Sequence, residues 1–163
     1  MRCDPNYAIG YSTERINPCD DEHTLEEKIK IVACKVITGS RVLILGLTYK
    51  ENVPDTRESP VEEMIRELKE FEIDVYGYDP LLRPEEIEHF GARPVASLEE
   101  FGEPGKTGAP VDCIVINAPH ALFSNLTLET VCGICNGKPI VVDVTGMLRG
   151  DDEVRDGCVY RTL

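Results

Sequence analysis

The residues with the clearest chemical potential lie between Leu43 and Pro60, in LILGLTYKENVPDTRESP, where Lys50 and Arg57 occupy a polar stretch between an apolar run and a helix-start signal. Two cations on a loop that leads into a helix N-terminus can receive phosphate oxygens, because free backbone amides there meet the anion and the side chains add positive charge. The glycine content is modest for such a role. Gly46 stands alone and no G-x-G-x-x-G is present, so cations that are merely solvated remain the alternative reading on physical grounds. His120, in NAPH, ends a strand-like run, a position where a lone histidine more often caps or sits at the surface than catalyses. Cys132 and Cys135 have redox-motif spacing. They follow a helical pattern at its C-terminal end, however, where the dipole raises a thiol pKa, and one Cys-x-x-Cys supplies only two of four metal ligands. They read as core or surface thiols, and no metal is expected.

These residues require a framework of strands and helices. From Arg41 to Arg161, short β-branched runs alternate with amphipathic stretches, the pattern of an α/β, Rossmann-like parallel sheet flanked by helices. Strands are expected at 41–46, 73–78, 111–116, 139–144 and, on the sheet edge, 157–161. Ser59-Pro60-Val61-Glu62 combines an N-cap serine, an N1 proline and a capping-box glutamate, so a helix is expected from there. Val61, Met64, Ile65 and Leu68 fall at i, i+3, i+4 and i+7 and give it one apolar face. A weaker helix is expected at 84–90, a short capped turn after Ser97, a loop at 102–110 and a helical region at 121–135. Ahead of this unit, residues 8–12 read as a short strand, and Thr24 with Glu27 caps a helix whose apolar face is Leu25, Ile29, Val32 and Val36.

Composition narrows the function classes. Seventeen Lys and Arg against thirty Asp and Glu give a formal charge of -13, a field that repels polyphosphates and anionic membranes unless cations are concentrated locally. Nucleic-acid binding is not expected. No apolar run approaches the roughly 20 residues that cross a bilayer, and the N-terminus lacks a signal-peptide pattern, so the expected setting is cytoplasmic, without membrane attachment. Seven cysteines scattered through strand-like and helix-like segments make a poor disulfide framework; Cys113, in DCIVIN, reads as a small core residue.

LGLTYKENVPDTRESP resembles the signature that opens the C-terminal, nucleotide-sugar-binding domain of the UDP-glucose/GDP-mannose dehydrogenase family, particularly its UDP-N-acetylhexosamine branch. The likeness continues through VYGYDP, DCIVINAPHALF and PIVVDVTGML, and so spans nearly all of 41–163. It implies a UDP or UDP-sugar ligand contacted by Lys50 across a domain interface, with Tyr49 beside it and Arg57 at the boundary with the NAD site. One departure is that the family often carries a basic residue in the D-x-R/K segment where this chain has Asp143-Val144-Thr145.

Residues 9–25, IGYSTERINPCDDEHTL, resemble the end of the same family's NAD-binding domain, usually YSPERINPGD, with Thr13 in place of proline and Cys19 in place of glycine. Glu14 matches a family glutamate near the reacting carbon; by its own type it is a loop acid. The expected organisation is an arm, 1–40, followed by a UDP-binding domain, 41–163. The resemblance implies NAD as cofactor, but neither the dinucleotide-binding glycine loop nor the G-G-x-C nucleophile motif is recognisable. Oxidation by this chain alone is therefore not expected. Three functions remain open: a nucleotide-sugar-binding module, one half of a split NAD-dependent UDP-sugar 6-dehydrogenase completed by a partner chain, and a structural or regulatory remnant. A homodimer is among the possible assemblies.

Overall fold

The computed structural model describes residues 39–101 and 110–162. The arm's expected strand and helix, Glu14, and most of the 102–110 loop lie outside the described residues.

β1 (Arg41–Leu45) forms where the sequence supplies four consecutive apolar residues, and Val42, Leu43, Ile44 and Leu45 are all fully buried. A strand apolar at every position must be covered on both faces, as parallel sheets are. β2 (Asp74–Tyr78), β3 (Arg93–Pro94), β4 (Val111–Ile116), β5 (Cys135–Asp143) and β6 (Val159–Thr162) join it in a parallel sheet of order β3-β2-β1-β4-β5-β6. The α/β, Rossmann-like expectation holds, with the chain changing direction across the sheet between β1 and β4. At such a change of direction, ligands of parallel sheets bind near the strands' C-terminal ends.

α1 (Val61–Glu70) and α2 (Pro84–His89) cover one face. Val61, Met64, Ile65 and Leu68 pack with Val42, Ile44 and Val75, and Ile87 of α2 joins the same core. Burying side chains of this size stabilises by about 1.5–3 kcal/mol each, which fixes α1 against the sheet and with it the end of the preceding loop. α3 (Leu128–Ile134) and α4 (Asp152–Gly157) cover the other face, where Val131, Ile134 and Val154 meet Leu43, Leu45, Ile114 and Ile116.

Several local expectations shift. β1 ends at Leu45, before the expected Gly46, and α1 begins at Val61; Ser59 Oγ accepts from the Val61 amide at 3.4 Å. The helical region expected at 121–135 divides into a 3-10 turn (Ala121–Asn125) and α3, because Thr127 turns out of helical geometry and its hydroxyl accepts from the Thr130 amide. β5 starts at Cys135, ahead of the expected 139, and its register against β4 shifts between Val111 and Cys113. β6 lies at the sheet edge, as expected, over 159–162.

Candidate functional site

The site begins with the way the chain leaves β1. Gly46 has φ +78, its N–H donates to Tyr78 O at 3.0 Å, and its carbonyl accepts from Asn117 Nδ2 at 3.1 Å. A Cβ at this position would come within 2.4 Å of the Ala118 carbonyl oxygen, so the β1 and β4 exits approach as closely as only glycine permits. The amides of Leu47 and Thr48 then donate to Asp79 Oδ2 at 2.7 and 3.2 Å, and Leu81 N–H donates to Asp79 Oδ1 at 2.9 Å. From the other end of the loop, Ser59 Oγ donates to Leu47 O at 2.7 Å. Asp79 is only 3% exposed, and such a carboxylate persists because donors surround it.

His120 completes the anchor from β4. Its Nδ1 accepts the Asn52 amide hydrogen at 2.8 Å, which makes Nδ1 the unprotonated nitrogen and assigns the proton to Nε2. Nε2 lies 3.1 Å from both Asp79 Oδ2 and Thr48 Oγ1, and Thr48 Oγ1 donates onward to Lys50 O at 3.0 Å. Asn52 has φ +57, and its side-chain carbonyl accepts from Ala121 N–H at 3.0 Å, tying the two loops a second time. The expectation that His120 is a cap or surface group is corrected. It is 1% exposed, stacks at a tilt 5.5 Å from the Phe123 ring, and makes no side-chain cap to the turn that follows. Every ring nitrogen is used internally, so His120 holds the loop in place.

Beyond this anchor the loop turns outward. Tyr49, Lys50 and Arg57, the three sequence-predicted ligand residues, border one open depression of about 510 Å³ together with Val53, Asp55 and Glu58. Tyr49 N–H donates to Asp55 O at 2.9 Å and folds the loop back, and Lys50 Nζ lies 5.7 Å from the Tyr49 ring centroid. Arg57 is held by Asp55 through Nε and Nη2, both at 2.9 Å. That contact, with the Arg57 amide, lowers the Asp55 carboxyl from the usual 3.8 to about 2. The Arg57 charge is thus already countered, whereas Lys50 carries no ion pair among the described residues. The depression can take an anion on Lys50, with Arg57 joining once it leaves Asp55.

A second buried carboxylate, missed in the sequence, organises the exit of β5. Asp143 Oδ1 accepts from Gly146 N–H at 2.8 Å, and Oδ2 accepts from Leu148 N–H and Tyr160 OH, both at 2.7 Å. The segment expected to depart from the D-x-R/K pattern is therefore a turn built around its own aspartate. Cys113 is fully buried, and its thiol is pushed up by burial, as a core residue's should be. Cys132 is exposed and Cys135 caps the C-terminal end of α3, its thiol raised to about 12 mainly by burial. Among the described residues no cluster of His, Cys, Asp or Glu could hold a metal ion, and no helix is long and apolar enough to cross a membrane.

Residues 43–150 match the UDP-glucose/GDP-mannose dehydrogenase family, UDP binding domain. The chain is 31% identical over 153 residues to the UDP-N-acetyl-D-glucosamine 6-dehydrogenase of Pseudomonas aeruginosa, covering 88% of this chain and 34% of that one. It is 35% identical over 133 residues to the UDP-N-acetyl-D-mannosamine dehydrogenase of Methanocaldococcus jannaschii, covering 80% of this chain and 28% of that one. In three dimensions it resembles a UDP-glucose dehydrogenase from Pyrobaculum islandicum, with TM-score 0.62 and 20% identity over 87% of this chain and 29% of that one, a likeness of fold. The chain spans about a third of the length of the first two curated relatives it matches.

Proposed function

Because this chain belongs to the UDP-glucose/GDP-mannose dehydrogenase family, we propose that residues 41–163 form a nucleotide-sugar-binding domain that receives UDP or a UDP-sugar in the depression on the loop that leaves β1. In this reading Lys50 meets the diphosphate, Tyr49 lies against the ligand, and Arg57 exchanges its Asp55 partner for an anionic oxygen. The observation that carries it is the exposed Lys50, without an ion pair among the described residues, on a loop whose base is locked by Asp79 and His120. A pre-set loop loses little entropy on binding, so a single cation is used efficiently.

NAD is not assigned to the loop that leaves β1. Its one glycine, Gly46, has the space of its missing Cβ filled by the Ala118 carbonyl, so it serves strand approach and leaves no room there for a pyrophosphate. Dinucleotide binding of the glycine-turn kind needs the backbone itself to be approachable at that point. We therefore propose no oxidation by this domain on its own. The test is a thermal-shift panel of UDP, UDP-glucose, UDP-N-acetylhexosamines, GDP-mannose and NAD with the full chain. The expected result is a rise in Tm with uridine ligands and none with NAD. An unchanged Tm across the panel would leave the remnant reading in its place.

A second reading has its own observation. Tyr49, Val53, Leu81 and Leu122 are large apolar side chains exposed on the loops that leave β1, β2 and β4, all on one edge of the sheet. Such an edge suits a docked polypeptide. In this reading a partner chain carrying the NAD and cysteine segments completes a dehydrogenase across that edge. NADH formation on mixing the two with a UDP-sugar is the expected outcome, and no absorbance change would remove the reading.

A further inference from the structure

On the far side of the sheet, an open depression of about 560 Å³ lies along the edge strand β6, bordered by Arg149, Arg155, Asp156, Tyr160, Arg161 and Thr162. In a chain of net charge -13, arginines should find acidic partners readily. Arg57, Arg66, Arg83, Arg93 and Arg155 do so. Among the described residues Arg149 and Arg161 have no acidic partner: the contacts of their guanidinium groups there are the Thr162 hydroxyl at 3.4 Å and the Tyr160 carbonyl at 2.9 Å. Both border the same depression. Arg155 joins them from α4, held by Asp152 Oδ1 at 2.9 Å and by the Arg149 carbonyl at 3.4 Å.

We propose that this depression is a second anion site, separate from the Tyr49–Lys50–Arg57 loop, and that it takes a phosphate group. Three guanidinium groups reach it from the β5–α4 connection, from α4 and from β6. A planar carboxylate is saturated by one guanidinium fork, whereas a tetrahedral phosphate offers oxygens to several donors at once. The floor is preset. Arg149 lies over Gly146, with Nε 3.5 Å from where a Cβ would stand, and the Asp143 turn that carries this segment is closed by its bonds to Gly146, Leu148 and Tyr160. Asp156 is the one acidic side chain on the lining and offsets part of the charge.

The test is a titration of the full chain at constant ionic strength with inorganic phosphate, with uridine monophosphate and with acetate, followed through the backbone amide signals of 146–149 and 160–162. Saturable shifts with inorganic phosphate, weaker ones with acetate, and an affinity at least about tenfold lower in the Arg149→Ala/Arg161→Ala double variant are expected. The Lys50→Ala variant should bind phosphate here as the unaltered chain does. Uridine monophosphate moving the same signals means that the site accepts a phosphomonoester; if it moves none of them, the ligand is the free anion. Shifts that do not saturate, that are confined to 46–60, that acetate reproduces equally, or that survive the double variant would overturn the proposal. None of these outcomes depends on whether UDP binds the other loop.

Discussion

Leu47 and Thr48 donate their amide hydrogens to a carboxylate that is 3% exposed, whereas Tyr49, the next residue of the same loop, is 54% exposed and Lys50 beyond it is also in solvent. The contrast between these adjacent pairs shows how a chain of modest size keeps a polar loop in one shape. The inner half spends its hydrogen bonds on Asp79, His120 and Ser59, so the outer half can leave a cation unpaired without the loop collapsing around it. Energetically the two halves differ as well. Interactions of the inner half are shielded from water and expensive to break, while the Asp55–Arg57 pair is solvated and weak.

The largest effect is expected at Asp79. Asp79→Ala removes the acceptor for three backbone amides and for His120 Nε2–H, and should destabilise the fold by roughly 3–5 kcal/mol, read from the urea midpoint. His120→Ala comes next. It leaves the Asn52 amide without its partner and opens a void beside Phe123, for a loss of about 2 kcal/mol; a loss within 0.5 kcal/mol, roughly the range of surface substitutions, would mean the histidine does not hold the loop.

At the outer half the effect should be small and tied to acid. The Asp55 carboxyl is depressed from 3.8 to about 2 in the folded chain, so its contribution is fully present above the unfolded value and is lost as pH falls through the folded one. The difference in Tm between the unaltered chain and Asp55→Asn should therefore be constant at neutral pH, shrink below about pH 4 and vanish only below about pH 2. Added salt should shrink it too, because both side chains are exposed. A difference that grew on acidification would contradict the pairing.

The same contrast explains what could be read from sequence. The apolar run 42–45 and the i, i+3, i+4, i+7 face of α1 are periodic signals, and both are buried as their spacing requires. Lys50 and Arg57 were legible because loop cations stand out in an acidic chain, Tyr49 only through the family resemblance, and the structure brings all three to one depression. The anchor was not legible. Asp79 and His120 are 41 residues apart, and neither a carboxylate before proline nor a lone histidine announces its partner until the sheet order places them together. β3 has only two residues, one of them proline, and α4 has Val154 as its single buried residue, so neither carries a period to detect.

The central claim is that the outer half of this loop binds a nucleoside diphosphate through a cation that the inner half holds in place. It is tested most directly by calorimetric titration of UDP into the unaltered chain and into Lys50→Ala, with Tm measured alongside. The account predicts saturable heat in the first and an affinity about tenfold lower or worse in the second, at a Tm that stays the same because Lys50 is exposed and makes no ion pair among the described residues. Absence of heat at millimolar UDP, or equal affinity in the two proteins, would contradict it.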